Sequence, residues 1–365
     1  MRIVIKLGTS TLTNGTRHPS TPLFIDLARQ ISQLHAAGHQ ALLVSSGAIA
    51  MGRERLGFPK LPKDIPAKQM LAAVGQPRLM AMYEQIFGYY GLTVAQVLLT
   101  RADLDGRLSY LNARNTLLAL VRGKVVPVVN ENDTVATDEI RFGDNDSLSA
   151  LVSNLVDAGL LIFLTDQPGL YASDPRTDPE ARLVGEVSDR EIPRELWDAA
   201  GSTDSGLGTG GMATKLQAAD LARRSGTACV IASGGEHDVL VRIAGGEPLG
   251  TRFTPVVTSL ESRKRYILSA RRPPGSLQVD DGACRALCRG GSLLAVGIVD
   301  AAGDFERGDT VRIVDRDGKE IARGIVNYGG RDLGRICGRS SEEIEPILGY
   351  HCGDEVVHHN DMVVI

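Results

Sequence analysis

The sequence predicts an α/β protein: a three-layer αβα sandwich on a mainly parallel sheet, followed by a small C-terminal all-β module. Three observations carry that prediction. Short apolar runs alternate with amphipathic segments through the first two-thirds of the chain. Glycine is abundant, at 41 residues, while aromatics make up only 4%, which suits many tight backbone turns. After about residue 250 the helical spacing gives way to short alternating runs separated by Gly and Asp.

The runs that read as buried strands are Ile3–Leu7, Ala41–Val44, Val94–Leu99, Val125–Val129, Leu160–Thr165 and Ala228–Ala232. Between them, Pro22–Ala37, Ala67–Tyr90, Tyr110–Val121, Ser147–Ala158 and Ala213–Arg224 read as amphipathic helices. This alternation favours parallel pairing with both faces covered. In such sheets a ligand sits beyond the C-terminal ends of the strands. Thr251–Gly275, with Arg263-Lys264-Arg265 and Arg271-Arg272-Pro273-Pro274, reads as a linker with some extended structure. Beyond it Leu293–Val299, Thr310–Val314, Ile321–Tyr328, Glu355–His358 and Met362–Ile365 read as strands. The expected division is 1–255 for the α/β domain, 256–274 for the linker and 275–365 for the β domain.

Bulk properties narrow the function classes. A chain of 365 residues is long for a single core, and 43% hydrophobic with 23% charged residues is a soluble globular composition. The net charge of −4 gives no general attraction to nucleic acid or anionic membrane. No stretch approaches the roughly 18 consecutive apolar residues of a membrane helix, and Met1–Lys6 enters a strand-like run without secretory-signal features. Five cysteines are few and odd in number, which fits free thiols in a reducing cytoplasm.

The polar residues at strand ends are informative. Lys6 lies inside a buried apolar run, followed by Gly8-Thr9-Ser10. It either reaches solvent from an edge strand or faces an anion, and the adjacent Gly8 favours the second. Ser45-Ser46-Gly47-Ala48 presents small residues between a strand and a helix, where backbone N–H groups can meet an anion or a Ser can simply cap. Asn130-Glu131-Asn132-Asp133 and Gly143-Asp144-Asn145-Asp146 both follow the same strand. Either alone could be turn and cap chemistry; together they favour a site for an ammonium group, or for a metal-bearing nucleotide. Thr165-Asp166 ends a further strand. The segment Gly206–Met212 is glycine-rich and opens the helix that carries Lys215, yet it satisfies neither the dinucleotide fingerprint nor the Walker A pattern. It does satisfy a loose anion loop. His18, His35, His39 and His237 stand alone in polar segments, so no general base is evident. A kinase acting on a hydroxyl wants such a base, whereas a carboxylate acceptor is already ionised at neutral pH.

Lys6–Ser10, Ser45–Ile49, Leu111–Arg114, Asn130–Asp133, Gly143–Asp146 and Gly208–Lys215 together resemble the amino acid kinase family, in the family's order, through residues 1–255. The resemblance is strongest to its glutamate-phosphorylating members, and Ser45 departs where Thr is common. It implies the amino acid kinase fold and ATP-dependent phosphorylation of the γ-carboxylate of L-glutamate, the first step of proline biosynthesis. Lys6 and Lys215 would then bind the transferring phosphoryl group, with Asp146 holding both. Ser46, Asp133, Asn145 and Asp144 would bind glutamate. Lys6, Gly8, Thr165, Asp166 and the run Thr209, Gly210, Gly211, Met212, Ala213, Thr214 and Lys215 would hold ATP. Mg2+ would be held mainly by ATP phosphates and water, with no protein metal site. The resemblance further implies feedback inhibition by proline, glutamyl phosphate reductase as recipient of a labile product, and a homodimer or homotetramer. A sibling activity on another carboxylate, carbamate or phosphate acceptor remains the alternative at this point.

Residues 275–355 resemble a PUA domain, a small β-barrel, through Val279–Ala283, Gly291–Leu294, Gly303–Asp309 and Ile336–Gly338. By that analogy an RNA-binding regulator is a further reading. From Gly275 onward, however, ten basic residues face sixteen acidic ones, a net −6, which argues against RNA as a main partner. Cys284, Cys288, Cys337 and Cys352 read as buried free thiols rather than a zinc site, because Cys284 and Cys288 are four apart on a helix.

Overall fold

The computed structural model describes residues 1–62, 64–136, 145–175, 177–201, 211–258, 267 and 273–365. The chain forms two compact units, one of Met1–Asp105 with Asn112–Ser259, the other of Gly106–Leu111 with Leu260–Ile365.

Strands β1 (Arg2–Leu7), β2 (Gln40–Ser45), β3 (Val94–Leu99), β4 (Val126–Glu131), β5 (Leu160–Thr165), β6 (Glu186–Val187), β7 (Ala228–Ser233) and β8 (Thr251–Phe253) form one sheet. Its order is β3-β4-β2-β1-β5-β7-β8-β6. Every pairing from β3 across to β7 is parallel, and β8 runs antiparallel to β7. β1 lies where the connectivity reverses: β2 and β4 follow on one side, β5 and β7 on the other. That is where a parallel sheet opens a crevice beyond its strand ends.

The helices are α1 (Thr9–Leu12), α2 (Thr21–Ala36), α3 (Ala48–Arg55), α4 (Ile65–Gly88), α5 (Arg101–Asp105), α6 (Arg107–Arg122), α7 (Asn145–Leu155), α8 (Arg194–Ala200), α9 (Met212–Arg224) and α10 (Val239–Ala244). Strand alternation assigns them to faces. Ile3, Ile5 and Leu7 join Phe24, Leu27 and Ile31 of α2, Leu79, Tyr83 and Phe87 of α4 and Leu240 of α10 in one buried cluster. The rings of Phe24, Tyr83 and Phe87 meet in sequence, tilted and then edge to face, with centroids 4.9 Å and 5.5 Å apart. Val4 and Lys6 alternate to the opposite face, against which α7 and α9 pack.

The expected long elements of this unit are all present, and Val94–Leu99 and Leu160–Thr165 match to the residue. The short ones were not anticipated: α1, α3, α5, α8, α10 and β6 are two to eight residues long, too short to express a period. β8 occupies the start of the stretch read as linker, held to the sheet through β7.

In the second unit, β9 (Gly275–Val279), β11 (Ile298–Gly303), β12 (Thr310–Val314), β13 (Glu320–Ile325) and β15 (Met362–Val364) form a sheet ordered β11-β9-β12-β13-β15. β10 (Leu293–Leu294) pairs with β14 (Glu355–Val357), and a 3-10 turn at Ala295–Gly297 divides it from β11, so the run Leu293–Val299 read as one strand is split in two. Leu277, Val279, Val311, Ile313, Ala322 and Val356 build its own core. The module is not purely β. Helices α11 (Asp281–Cys288), α12 (Gly330–Ile336) and α13 (Ser341–Leu348) cover it, α11 capped by Asp280 and α13 by a Ser340–Glu343 capping box. All five cysteines are free; Cys284, Cys337 and Cys352 pack against this core, while Cys288 is exposed rather than buried.

One packing detail positions the site. Gly52 of α3 and Gly75 of α4 let the two helices touch backbone to backbone, so a Cβ at Gly75 would lie 1.8 Å from the carbonyl oxygen of Ala48. Gly88, at the end of the same helix, has nothing within 4 Å of such a Cβ. Gly75→Ala is therefore expected to cost about 3 kcal/mol of stability despite the better helix propensity of Ala. Gly88→Ala should be neutral or gain up to about 1 kcal/mol. Urea unfolding of the two variants checks the contrast; equal effects would contradict the close approach.

Candidate active site

The site grows from the odd member of an apolar strand. Lys6 is the penultimate residue of β1, registered between Val44 of β2 and Phe163 of β5, and is only 4% exposed. A buried ammonium group needs a partner. It finds one in Asp146, in the first turn of α7, whose Oδ1 lies 2.5 Å from Lys6 Nζ. Lys215, in the first turn of α9, brings its Nζ to 3.3 Å from Asp146 Oδ2. The Thr214 hydroxyl donates to the same oxygen at 2.8 Å. Asp146 is wholly buried and Lys215 is 6% exposed. The three residues named as catalytic from the sequence thus converge on one point.

The surroundings suit an anion. A Cβ at Gly8 would sit 3.6 Å from Lys6 Nζ, so the missing side chain leaves space beside the ammonium group. Gly211 is the N-cap of α9 and makes no side-chain cap, so the first-turn N–H groups of that helix are available to an anionic ligand. Gly47 starts α3 with a φ of 101°, a conformation that favours glycine, and turns the chain straight after Ser46. The Ser46 N–H donates to the Leu7 carbonyl at 3.1 Å, which fixes Ser46 beside the end of β1.

Asn145 precedes Asp146 and donates from Nδ2 to the Ser45 carbonyl, to Ser46 Oγ and to Asn130 Oδ1. Asp133 lies half-buried in the turn after β4. Thr165 ends β5, the strand beside β1, and Asp166 follows it, where the Thr165 hydroxyl donates to Asp166 Oδ1 at 2.9 Å. Ala213 is buried in the first turn of α9 next to Met212. Asp144, Thr209 and Gly210 lie outside the described residues. Sequence reasoning missed Gln76 and Tyr83 of α4. Gln76 accepts from Asn130 Nδ2 at 2.8 Å, and the Tyr83 hydroxyl meets Ser45 Oγ at 2.8 Å. Nothing local in the helix pattern marks either residue. His18, read as isolated, pairs with Glu54 at 2.8 Å.

Burial by itself would raise the Asp146 pKa, but the Lys6 and Lys215 charges and the hydrogen bonds from Lys6 and Thr214 outweigh it, holding the carboxyl below its ordinary range. For Tyr83 burial dominates and pushes the phenol up, against a smaller opposing effect of Ser45, so it stays protonated. A carboxyl depressed in the folded state contributes stability above its unfolded pKa of about 3.9, and that stability is lost as pH falls through the folded value. Asp146→Asn is therefore expected to lose about 3 kcal/mol at neutral pH by stranding two ammonium groups. It should also show a shallower decline in stability below about pH 4. Urea unfolding between neutral and acid pH measures both; parallel curves offset by less than about 1 kcal/mol would contradict the pairing.

Comparison with known proteins identifies the family. Residues 1–233 match the amino acid kinase family, and residues 275–348 match the PUA domain. The chain is 54% identical over 364 residues to a glutamate 5-kinase of Herpetosiphon aurantiacus, covering 100% of this chain and 98% of the relative. It is 53% identical to that of Photobacterium profundum, covering 100% and 96%, and 52% identical to that of Shewanella oneidensis, covering 100% and 98%. The family match over residues 1–233 and similarity along the whole length at this identity place the chain in the amino acid kinase family, among its glutamate 5-kinases.

Proposed function

We propose that the chain transfers the γ-phosphoryl group of ATP to the γ-carboxylate of L-glutamate, giving glutamyl 5-phosphate and ADP. The observation that carries this reading is the meeting of Lys6 and Lys215 on Asp146 at the strand ends, in a chain this similar to glutamate 5-kinases. A carboxylate oxygen attacks the γ-phosphorus in line; the new O–P bond forms as the bond to the ADP oxygen breaks. No base is required, because the nucleophile is already an anion at neutral pH. What remains for the protein is positioning and charge stabilisation.

In this reading Lys6 and Lys215 offset the charge on the transferring phosphoryl group, and Asp146 keeps both ammonium groups aimed. Gly8, Thr165, Asp166 and the segment ending in Gly211, Met212, Ala213, Thr214 and Lys215 hold ATP. Ser46, Asp133 and Asn145 hold glutamate. The donor set around Asp146 is ammonium and hydroxyl, and among the described residues no three His, Cys, Asp or Glu side chains group as metal ligands. Magnesium would then be carried mainly by the nucleotide phosphates and water, and would supply charge neutralisation there. The same family reading supports a place at the start of proline biosynthesis, restraint by proline, delivery of the labile acyl phosphate to glutamyl phosphate reductase, and a dimeric or tetrameric assembly. No described helix is long and apolar enough to cross a membrane.

The direct test is ATP turnover with hydroxylamine present to trap the acyl phosphate, using glutamate, N-acetylglutamate and aspartate as acceptors. Glutamyl hydroxamate is expected from glutamate; turnover with N-acetylglutamate but not glutamate would overturn the reading. Lys215→Ala should lower kcat by about 100- to 1000-fold while moving the glutamate KM by less than about threefold. Equal losses in both would remove it from the phosphoryl site. Asp133→Ala should instead raise the glutamate KM by about tenfold or more, and an unchanged value would remove Asp133 from the substrate site.

A further inference from the structure

A chain of side-chain amides runs from the edge of the sheet to Asn145, and backbone groups fix its direction at two points. Asn145 Nδ2 lies 2.9 Å from the Ser45 carbonyl oxygen, 2.9 Å from Asn130 Oδ1 and 3.1 Å from Ser46 Oγ. A backbone carbonyl only accepts, so the end of the Asn145 amide that faces it is the amino end. Asn130 Oδ1 also accepts from the Glu131 N–H at 2.9 Å, and a backbone N–H only donates. The amino end of Asn130 therefore points away, and donates to Gln76 Oε1 at 2.8 Å. Gln76 Nε2 in turn donates to Gln96 Oε1 at 3.0 Å. Asn130 is 2% exposed and Asn145 is 8% exposed, so a reversed amide in this chain would leave buried groups facing like groups.

This direction has a consequence for ligand recognition. With its amino end engaged, Asn145 has only Oδ1 left to offer, a pure acceptor, and no hydrogen bond among the described residues uses it. Ser46 Oγ accepts from Asn145, which leaves its own proton to donate. An acceptor beside a hydroxyl donor complements an ammonium group beside a carboxylate, the signature of an α-amino acid. We propose that Gln76 and Asn130 are positioning residues that, together with the Ser45 carbonyl, hold Asn145 Oδ1 as the acceptor for the substrate's α-ammonium group. On this account they make the site select amino acids over dicarboxylates that lack the amino group. The inference rests on the glutamate reading given above, and adds to it the two residues that enforce the choice.

The test compares glutamate with glutarate, which has both carboxylates and no amino group. In Gln76→Leu, Asn130 Nδ2 loses its acceptor and only the Glu131 N–H still holds that amide, so Asn145 is held less firmly and the glutamate KM is expected to rise about tenfold. The glutarate inhibition constant and the ATP KM should stay within about twofold, since neither ligand uses the Asn145 acceptor. Gln76→Glu keeps an acceptor for Asn130 Nδ2 and is expected to restore the glutamate KM. An unchanged glutamate KM in Gln76→Leu, or a parallel rise in all three constants, overturns the proposal. Absence of glutamate turnover by the unaltered chain would instead strike the functional reading on which it stands.

Discussion

The arrangement on which the rest depends is one buried carboxylate shared by two buried ammonium groups. Lys6 comes from β1, Asp146 from the start of α7 and Lys215 from the start of α9. None of the three tolerates burial alone, so each element's position is conditional on the other two. The apolar sheet supplies the rigidity: Ile3, Ile5 and Leu7 anchor one face of β1 in the main core, and the alternation then delivers Lys6 to the other. A preorganised set of charges of this kind can stabilise a transferring phosphoryl group without reorganising at the moment of reaction.

The same geometry explains why helix starts rather than helix bodies line the crevice. Gly47 before α3 and Gly211 before α9 bring N-terminal turns to the strand ends, and Asn145 and Asp146 form the first turn of α7. Each contributes backbone N–H groups or a short polar side chain where an anion would sit. The close crossing of α3 and α4 at Gly52 and Gly75 serves this layer as well. It carries Gln76 and Tyr83 to the ends of β4 and β2, where they order Asn130 and Ser45.

Much of this was legible in the sequence, for identifiable reasons. A lysine in an apolar run, two acidic clusters after one strand and a glycine-rich approach to a lysine are local anomalies, and their described residues, Lys6, Asn130–Asp133, Asn145, Asp146 and Gly211–Lys215, fall at strand ends or helix starts. The long strands and helices express their period over enough residues to be read. The contributions of Gln76 and Tyr83 were not legible, because an amide or phenol in an amphipathic helix looks like ordinary surface or core until the fold brings its partner close. The two-residue β6 and the three-residue β8 leave no periodic trace, and the sheet alone defines them. In the second unit the β alternation was visible, while α13 was not anticipated among the strands.

The most direct measurement is a crystal structure of the protein with ADP, aluminium fluoride and glutamate, a mimic of the phosphoryl group in transit. The account predicts Lys6 Nζ and Lys215 Nζ each within about 3 Å of a fluoride or a bridging phosphate oxygen, with Asp146 still between them. Either ammonium group turned away from the mimic, or separated from it by more than about 5 Å, would contradict the account.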